Sequence, residues 1–273
     1  MRGARSLGVD GSHDPHLHTV VQARLPSNAA GPYAPAGEQI PAHRRPPHTR
    51  RCIIARPAND PDVPTRLSWA YVDGWDEDSE SIREARNRAA ELGCPAISRP
   101  AAALVRLLAA SVNAQAVVEV GTGAGVSGAA LLSGMSSAGV LTTIDIEAEH
   151  QRVARETFTA LGYDHTRTRL IAGRALDVLP RLSDAAYDVV FVDGDKGEYP
   201  AILVQAKRLL RVGGLVIFDN MLWSGRVADP AERDAETVAL RDTATAVKAD
   251  DDWMPALLTI GDGLLVASLR GRS

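Results

Sequence analysis

A short, unbroken apolar run, Val189-Val190-Phe191-Val192, gives way at once to Asp193, Asp195 and Lys196. Four consecutive apolar residues suit a strand buried on both faces, as in the middle of a parallel sheet. Such a strand ends in charge only where its tip opens into a site, and in open α/β sheets ligands sit beyond the carboxyl ends of the strands. A second run, Leu215 to Phe218, ends in the same way, in Asp219-Asn220. If the two strands are neighbours at the usual ~4.8 Å spacing, then Asp193, Asp219 and Asn220 converge on one small volume. Three hard oxygen ligands there suit Mg²⁺ or Ca²⁺. Taken singly, each acid also reads as a helix N-cap or turn residue. Two such tips together, with a lysine beside one of them, point to a site.

The surrounding pattern is consistent with that sheet. Strands are expected at 116–120, 140–144, 168–172, 188–192, 215–218, 256–260 and 264–269. Helices are expected at 126–135, 147–161, 174–182, 199–210 and 231–250. This alternation implies a parallel sheet with helices on both faces. The last two strands are joined through Gly261-Asp262-Gly263, a hairpin-type turn, so an antiparallel strand ends the sheet. Two further helices precede it. One follows the cap residues Asp76 to Ser79 and stops at Gly93; the other is capped by Ser98 with Pro100 in its first turn. They are expected to pack on the sheet or to cover its edge.

Residues 1–66 differ in kind. They hold ten of the 16 prolines, five of the 7 histidines and a single aromatic, Tyr33. With no helical or alternating apolar period, the stretch cannot bury enough apolar surface to offset chain entropy, and it reads as a disordered or loosely ordered extension. Its histidines, His13, His16 and His18, read as solvated rather than as a metal site. The remainder, 67–273, is long enough for one good-sized domain. A net charge of −4 gives no electrostatic reason to bind nucleic acid or an anionic membrane. No apolar run approaches the ~20 residues of a membrane helix, and the arginine-bearing N-terminus lacks the apolar core of a secretory signal. Two cysteines, Cys52 and Cys94, make no disulfide framework. A reducing cytoplasm is the expected location.

The first predicted strand runs through Glu119 and Val120 into Gly121-Thr122-Gly123-Ala124-Gly125 and then a helix. Glycines let the chain turn sharply and let a ligand approach the backbone. A dinucleotide fingerprint wants a further glycine three residues after Gly123, where this chain has Val126. The next strand ends in Asp145, 24 residues after Gly121. That is the place for an acid that accepts hydrogen bonds from ribose hydroxyls, although a helix cap is the simpler reading of Asp145 alone. A third strand ends in Gly173-Arg174-Ala175, a small-residue turn that can admit an adenine ring.

Several blocks carry a resemblance: VVEVGTGAGVS, LTTIDIE, FVDGDKGEY and LLRVGGLVIFDNMLWSGRVADP. Over about Ala96 to Arg270 the chain resembles the cation-dependent O-methyltransferases, the group that contains the caffeoyl-CoA and catechol O-methyltransferases, and most of all their small actinobacterial-type members. The resemblance implies a Rossmann-like, seven-stranded methyltransferase sheet that binds S-adenosylmethionine. It places Asp145 and Ile146 at the ribose, and Glu119, Gly121, Thr122, Gly123 and Ser127 around the methionine and nucleoside parts. Gly173, Arg174 and Ala175 fall by the adenine. Asp193, Asp219 and Asn220 match the ligands of a divalent cation, Mg²⁺ or alternatively Ca²⁺ or Mn²⁺. Asp193 also borders the cofactor, and Lys196 matches the proposed general base. A homodimer is a further implication.

The chemistry is coherent. A phenol with pKa near ~10 is mostly protonated at neutral pH, and a cation gripping two adjacent oxygens stabilises and aims the phenolate. The methyl acceptor is therefore expected to be a small catechol-like or other vicinal-diol aromatic. Lys196 can take its proton or hold the phenolate; the plainer alternative is a solvated lysine at a helix start. Trp223 can wall the acceptor pocket or can be a core tryptophan with its N–H satisfied. Two other functions stay open on the residues alone. One is an NAD(P)-dependent oxidoreductase, which leaves Asp219-Asn220 unexplained. The other is a catalytically inactive nucleoside-binding protein of the same fold.

Overall fold

The computed structural model describes residues 64–271. The expected extension, with His13, His16 and His18, therefore lies outside the described residues as far as residue 63. The described part belongs to a unit running from Pro57 to Ser273.

Seven strands form one sheet: β1 (Ala116–Val120), β2 (Val140–Asp145), β3 (Thr168–Ala172), β4 (Tyr187–Val192), β5 (Leu210–Phe218), β6 (Trp253–Leu258) and β7 (Leu264–Leu269), in the order β3-β2-β1-β4-β5-β7-β6. The first five are parallel; β7 runs antiparallel to both β5 and β6. The expected antiparallel last strand is β7, which lies between β5 and the edge strand β6. The turn at Gly261 to Gly263 is thereby carried alongside the end of β5, with consequences for the site.

The run that opened the analysis is fully buried from Val189 to Val192. Alternate side chains serve opposite faces. Val189 and Phe191 join one core with Val117, Leu141 and Ile217, while Val190 and Val192 join the other with Val118, Val216 and Phe218. Each such side chain contributes roughly 1.5–3 kcal/mol on burial.

Eight helices accompany the sheet among the described residues: α1 (Arg66–Asp73), α2 (Glu80–Glu91), α3 (Arg99–Ser111), α4 (Val126–Gly134), α5 (Ala148–Ala160), α6 (Ala175–Val178), α7 (Tyr199–Leu209) and α8 (Ala235–Ala249). Ser79 and Ser98 cap α2 and α3 through the amides of Ile82 and Ala101, as their positions imply. Helix α3 packs Ala101, Val105 and Ala109 into the core against the sheet. Helix α1, which the sequence pattern did not foretell, buries no residue. The helix expected over 174–182 is split, because Pro180 turns its second half into a 3-10 turn, Leu179–Arg181. Among the described residues no helix is long and apolar enough to cross a membrane.

Candidate active site

The tips of β1, β2, β3, β4 and β5 open on one cleft of about 700 Å³. Gly121, Thr122, Gly123, Ser127, Asp145, Ile146, Gly173, Arg174, Ala175, Asp193, Lys196, Asn220 and Trp223 all line it. Glu119 and Asp219 do not reach its wall; both lie buried directly behind it.

The glycine loop is pinned by close packing. Gly121 has φ +91°, and a Cβ there would stand 2.2 Å from the backbone oxygen of Asp193. Only glycine lets the β1 tip lie this tightly against the β4 tip. Asp145 then ties the loop to β2: its Oδ2 accepts from the amides of Thr122 (2.9 Å) and Gly123 (3.0 Å), and its Oδ1 accepts from the amide of Glu147 (2.9 Å). The residue at the N-cap of α5 is Glu147, so capping that helix is not the work of Asp145. His150 Nδ1 lies 3.2 Å from the same carboxylate.

Glu119 points into the protein rather than the cleft. Ser127 Oγ and Thr143 Oγ1 each donate to it at 2.6 Å, and Thr143 continues the chain to Thr122 Oγ1 at 2.7 Å. Burial pushes its carboxyl up to about 7, against the pull of those two hydroxyls, with Asp193 and Asp145 adding to the rise. The resemblance placed Glu119 around the cofactor. Here a buried strand residue finds partners beneath the loop, and it meets the cleft only through Ser127.

The end of the cleft at the tips of β4 and β5 is built differently. Val192 and Phe218 are register partners, so Asp193 and Asp219 follow side by side, as required for convergence. Asp193 Oδ1 accepts from Lys196 Nζ at 2.9 Å. Lys196 is only 7% exposed; it is not the solvated lysine of the plainer reading. Asp195 is the turn residue, capping the 3-10 turn Lys196–Glu198 through the amide of Gly197. Burial raises the Asp193 carboxyl despite the lysine. Burial, then the charge of Asp193, pushes Asp219 up to about 7. Below them the hydroxyl of Tyr199, the first residue of α7, meets Lys196 Nζ at 2.9 Å.

Asn220, Trp223 and Ser224 all have left-handed backbones (φ +58°, +49° and +53°). Three non-glycine residues in that region within five positions cost free energy unless the surroundings hold them. The hairpin between β6 and β7 does so. The amides of Met221 and Leu222 donate to the Gly263 and Asp262 carbonyls (2.9 and 2.8 Å), and the amide of Ser224 donates to Asp262 Oδ1 at 2.7 Å. Trp223 packs against the core and also faces the cleft, with its ring 5.8 Å from Lys196 Nζ. Its buried indole N–H has no partner among the described residues, unlike the satisfied core tryptophan considered above. Among the described residues no three His, Cys, Asp or Glu side chains are grouped to hold a metal ion; the set expected here has two carboxylates and one amide.

Sequence reasoning missed parts of the wall: Cys94 to Ile97 before α3, His150, and Glu198, whose carboxylate pairs with Arg174 across the rim at 2.7 Å. Tyr199 sits in the quoted FVDGDKGEY block, yet nothing in the string separates its hydroxyl from that of a core tyrosine.

A mixed seven-stranded sheet with a glycine loop, an acid at the second strand tip and a buried acid–lysine pair at the fourth is the arrangement expected of a nucleoside-cofactor enzyme. Residues 75–270 match the model of an O-methyltransferase family, and the chain belongs to that family. A Mycobacterium marinum relative, whose O-methyltransferase name is itself provisional, is 48% identical over 198 residues, covering 72% of this chain and 88% of its own. A Corynebacterium glutamicum structure aligns with a TM-score of 0.71 at 31% identity, covering 76% of this chain and 97% of that one. The O-methyltransferase TomG of Streptomyces achromogenes, involved in tomaymycin synthesis and solved with S-adenosylmethionine, gives 0.69 at 29%, covering 75% and 96%. Family membership sets aside the dinucleotide-dependent oxidoreductase.

Proposed function

We propose that the protein transfers a methyl group from S-adenosylmethionine to a hydroxyl oxygen of a small catechol-like aromatic, with a divalent cation, Mg²⁺ or in its place Ca²⁺ or Mn²⁺, at Asp193, Asp219 and Asn220. One observation carries this reading: the glycine loop and Asp145 at one end, and the buried Asp193–Lys196 pair at the other, wall a single cleft. The donor set fits a cation. Two carboxylates share a buried volume with one ammonium, and both are raised by burial. Excess negative charge in low dielectric is relieved by a hard cation with oxygen ligands.

When bound, the sulfonium supplies an electrophilic methyl group and the cation supplies positive charge for the acceptor oxygens. The chain's own residues do the rest. Asp145 holds the ribose, Ser127 the methionine end with Glu119 behind it, and Gly173 to Ala175 flank the adenine, with Ile146 beside the ribose. Lys196 either takes the acceptor's proton or holds the phenolate. The oxygen's electron pair then forms the O–C bond while the C–S bond breaks and its electrons stay on sulfur. Trp223 walls the acceptor.

The same reading takes residues 67–273 as the enzyme domain and the chain as a cytoplasmic homodimer. Deletion of residues 1–60 is expected to leave one cooperative melt and cofactor binding intact, and sedimentation checks the dimer. The central experiment incubates the protein with labelled S-adenosylmethionine, Mg²⁺ and a panel of vicinal-diol aromatics that includes catechol. Label is expected in the diol and not after exhaustive EDTA treatment. Full transfer in EDTA would remove the cation from the reading. Stabilisation by NAD but not by S-adenosylhomocysteine would remove the methyl donor.

A further inference from the structure

We infer that Tyr199 is a positioning residue for Lys196: its buried hydroxyl fixes one N–H of the ammonium, and with Asp193 leaves the third N–H directed at the acceptor. The inference rests on the role proposed above for Lys196.

Tyr199 is completely buried, in a core where its neighbour Phe218 fills space without a polar atom. A hydroxyl in such a place is costly unless it is bonded. This one stands 2.9 Å from Lys196 Nζ, 3.2 Å from the carbonyl oxygen of Val192 and 3.1 Å from that of Asp219. An ammonium has no lone pair, so Lys196 donates and the tyrosine oxygen accepts. The single phenolic proton then goes to the two carbonyls, which belong to the ends of β4 and β5. One hydroxyl thus links the lysine to the two strand tips that carry the proposed cation ligands.

Counting the ammonium's hydrogens gives the consequence. One goes to Asp193 Oδ1 and one to Tyr199 Oη, both at 2.9 Å. The third has no hydrogen-bond partner among the described residues, and Lys196 is part of the cleft wall. With two corners of the tetrahedron held by protein, the third is aimed. If the lysine acts as a base, its lone pair takes the corner that faces the acceptor, because both remaining hydrogens are already engaged. Without the tyrosine oxygen the ammonium keeps one anchor, on a flexible four-carbon stem, and loses this aim. Preorganisation of that kind appears in turnover rather than in ground-state binding.

The test is a double-mutant cycle with catechol, S-adenosylmethionine and Mg²⁺, with kcat expressed per folded site counted by S-adenosylhomocysteine calorimetry. Tyr199→Phe is expected to lower kcat about ten-fold or more, the worth of one charge-assisted hydrogen bond. KM for S-adenosylmethionine should hold, because Tyr199 does not line the cleft. In a Lys196→Ala background the same change should have no further effect on kcat. An equal fractional loss in both backgrounds would make the tyrosine merely structural and overturn the inference. So would wild-type kcat in Tyr199→Phe beside an impaired Lys196→Ala. Wild-type kcat in Lys196→Ala would instead bring down the lysine's own role, and this inference with it. If Tyr199→Phe fails to fold, a ring-fluorinated tyrosine at 199 keeps the shape and weakens the oxygen as an acceptor. A lowered kcat supports the inference there, and an unchanged one overturns it.

Discussion

The two ends of the cleft are built on different terms. At the glycine-loop end, proposed for the cofactor, Asp145 is met by three backbone amides and a histidine, and Glu119 by two hydroxyls. At the β4–β5 end, proposed for the acceptor, Asp193 and Asp219 face one ammonium, the Trp223 N–H has no partner among the described residues, and Asn220, Trp223 and Ser224 are held in left-handed conformations. Buried polar groups left short of partners are unfavourable, and natural folds tolerate them mainly where something else completes the site. The cofactor end is therefore a preformed cradle. The acceptor end is a set of groups that a cation and an oxygen substrate would complete.

The most severe test of that contrast is Asp219→Ala. Loss of a cation's charge stabilisation is worth several kcal/mol, so turnover is expected to fall about a thousand-fold or more. S-adenosylhomocysteine binding, measured by calorimetry, should barely change. A variant that loses cofactor binding as fully as turnover would show that the two ends are not separable. Next in size is Lys196→Ala, expected to lower kcat about 10²–10⁴-fold with cofactor affinity retained. Lys196→Arg sharpens the reading, since it keeps positive charge but accepts no proton near neutral pH. A base role leaves Arg nearly as slow as Ala; a phenolate clamp restores part of the rate. Near-wild-type kcat in Lys196→Ala, at saturating cofactor and Mg²⁺, would remove the lysine from the chemistry.

At the other end, Asp145→Ala should act on affinity and spare kcat. The loss of a charge-assisted acceptor is worth about 1.5–3 kcal/mol, or roughly ten- to a hundred-fold in cofactor Kd. Because Asp145 also anchors the amides of Thr122 and Gly123, the cradle itself should loosen. Unchanged S-adenosylhomocysteine binding would break the assignment of this end to the cofactor.

The same contrast explains what could be read from the string. Strand β4 announced itself because its stretch Val189–Val192 is apolar at every position, as in a parallel core, and Asp193 was conspicuous for ending it. That Asp193 stands beside Asp219 hung, in the sequence, on the two similar strands being neighbours; the pairing of Val192 with Phe218 meets that condition. The surroundings of Glu119 were not legible, because an acid inside a strand advertises a site equally well whether it faces a ligand or a pair of hydroxyls. Only the positions of Ser127 and Thr143, from another element and another strand, decide which. The position of β7 was not legible either. A hairpin turn shows that two strands pair, not which of them lies next to β5, and it is that choice that brings Asp262 and Gly263 against the loop after Asn220. Tyr199 is a third case, since the meaning of its hydroxyl lies in two carbonyls distant in sequence.

Glu119 offers the finest test, because the predicted effect is on stability alone. Burial raises its carboxyl from 4.5 to about 7 in the folded protein. An acid displaced upward binds more protons folded than unfolded between those values, so its contribution to stability falls as pH rises across that window. Below about 4.5 the group is protonated in both states and contributes no slope; above about 7 the loss is complete. Glu119→Gln removes the titration while keeping the shape, so its melting temperature should gain on the wild type as pH is raised from 4.5 to 8. The two hydroxyls of Ser127 and Thr143 can rotate to meet an amide, which keeps the expected change in cofactor affinity small. Some pH dependence should survive in the variant, because Asp219 at the acceptor end is displaced in the same direction. Melting curves of the two proteins that shift in parallel with pH would mean that Glu119 stays ionised when folded, with Ser127 and Thr143 fully offsetting its burial.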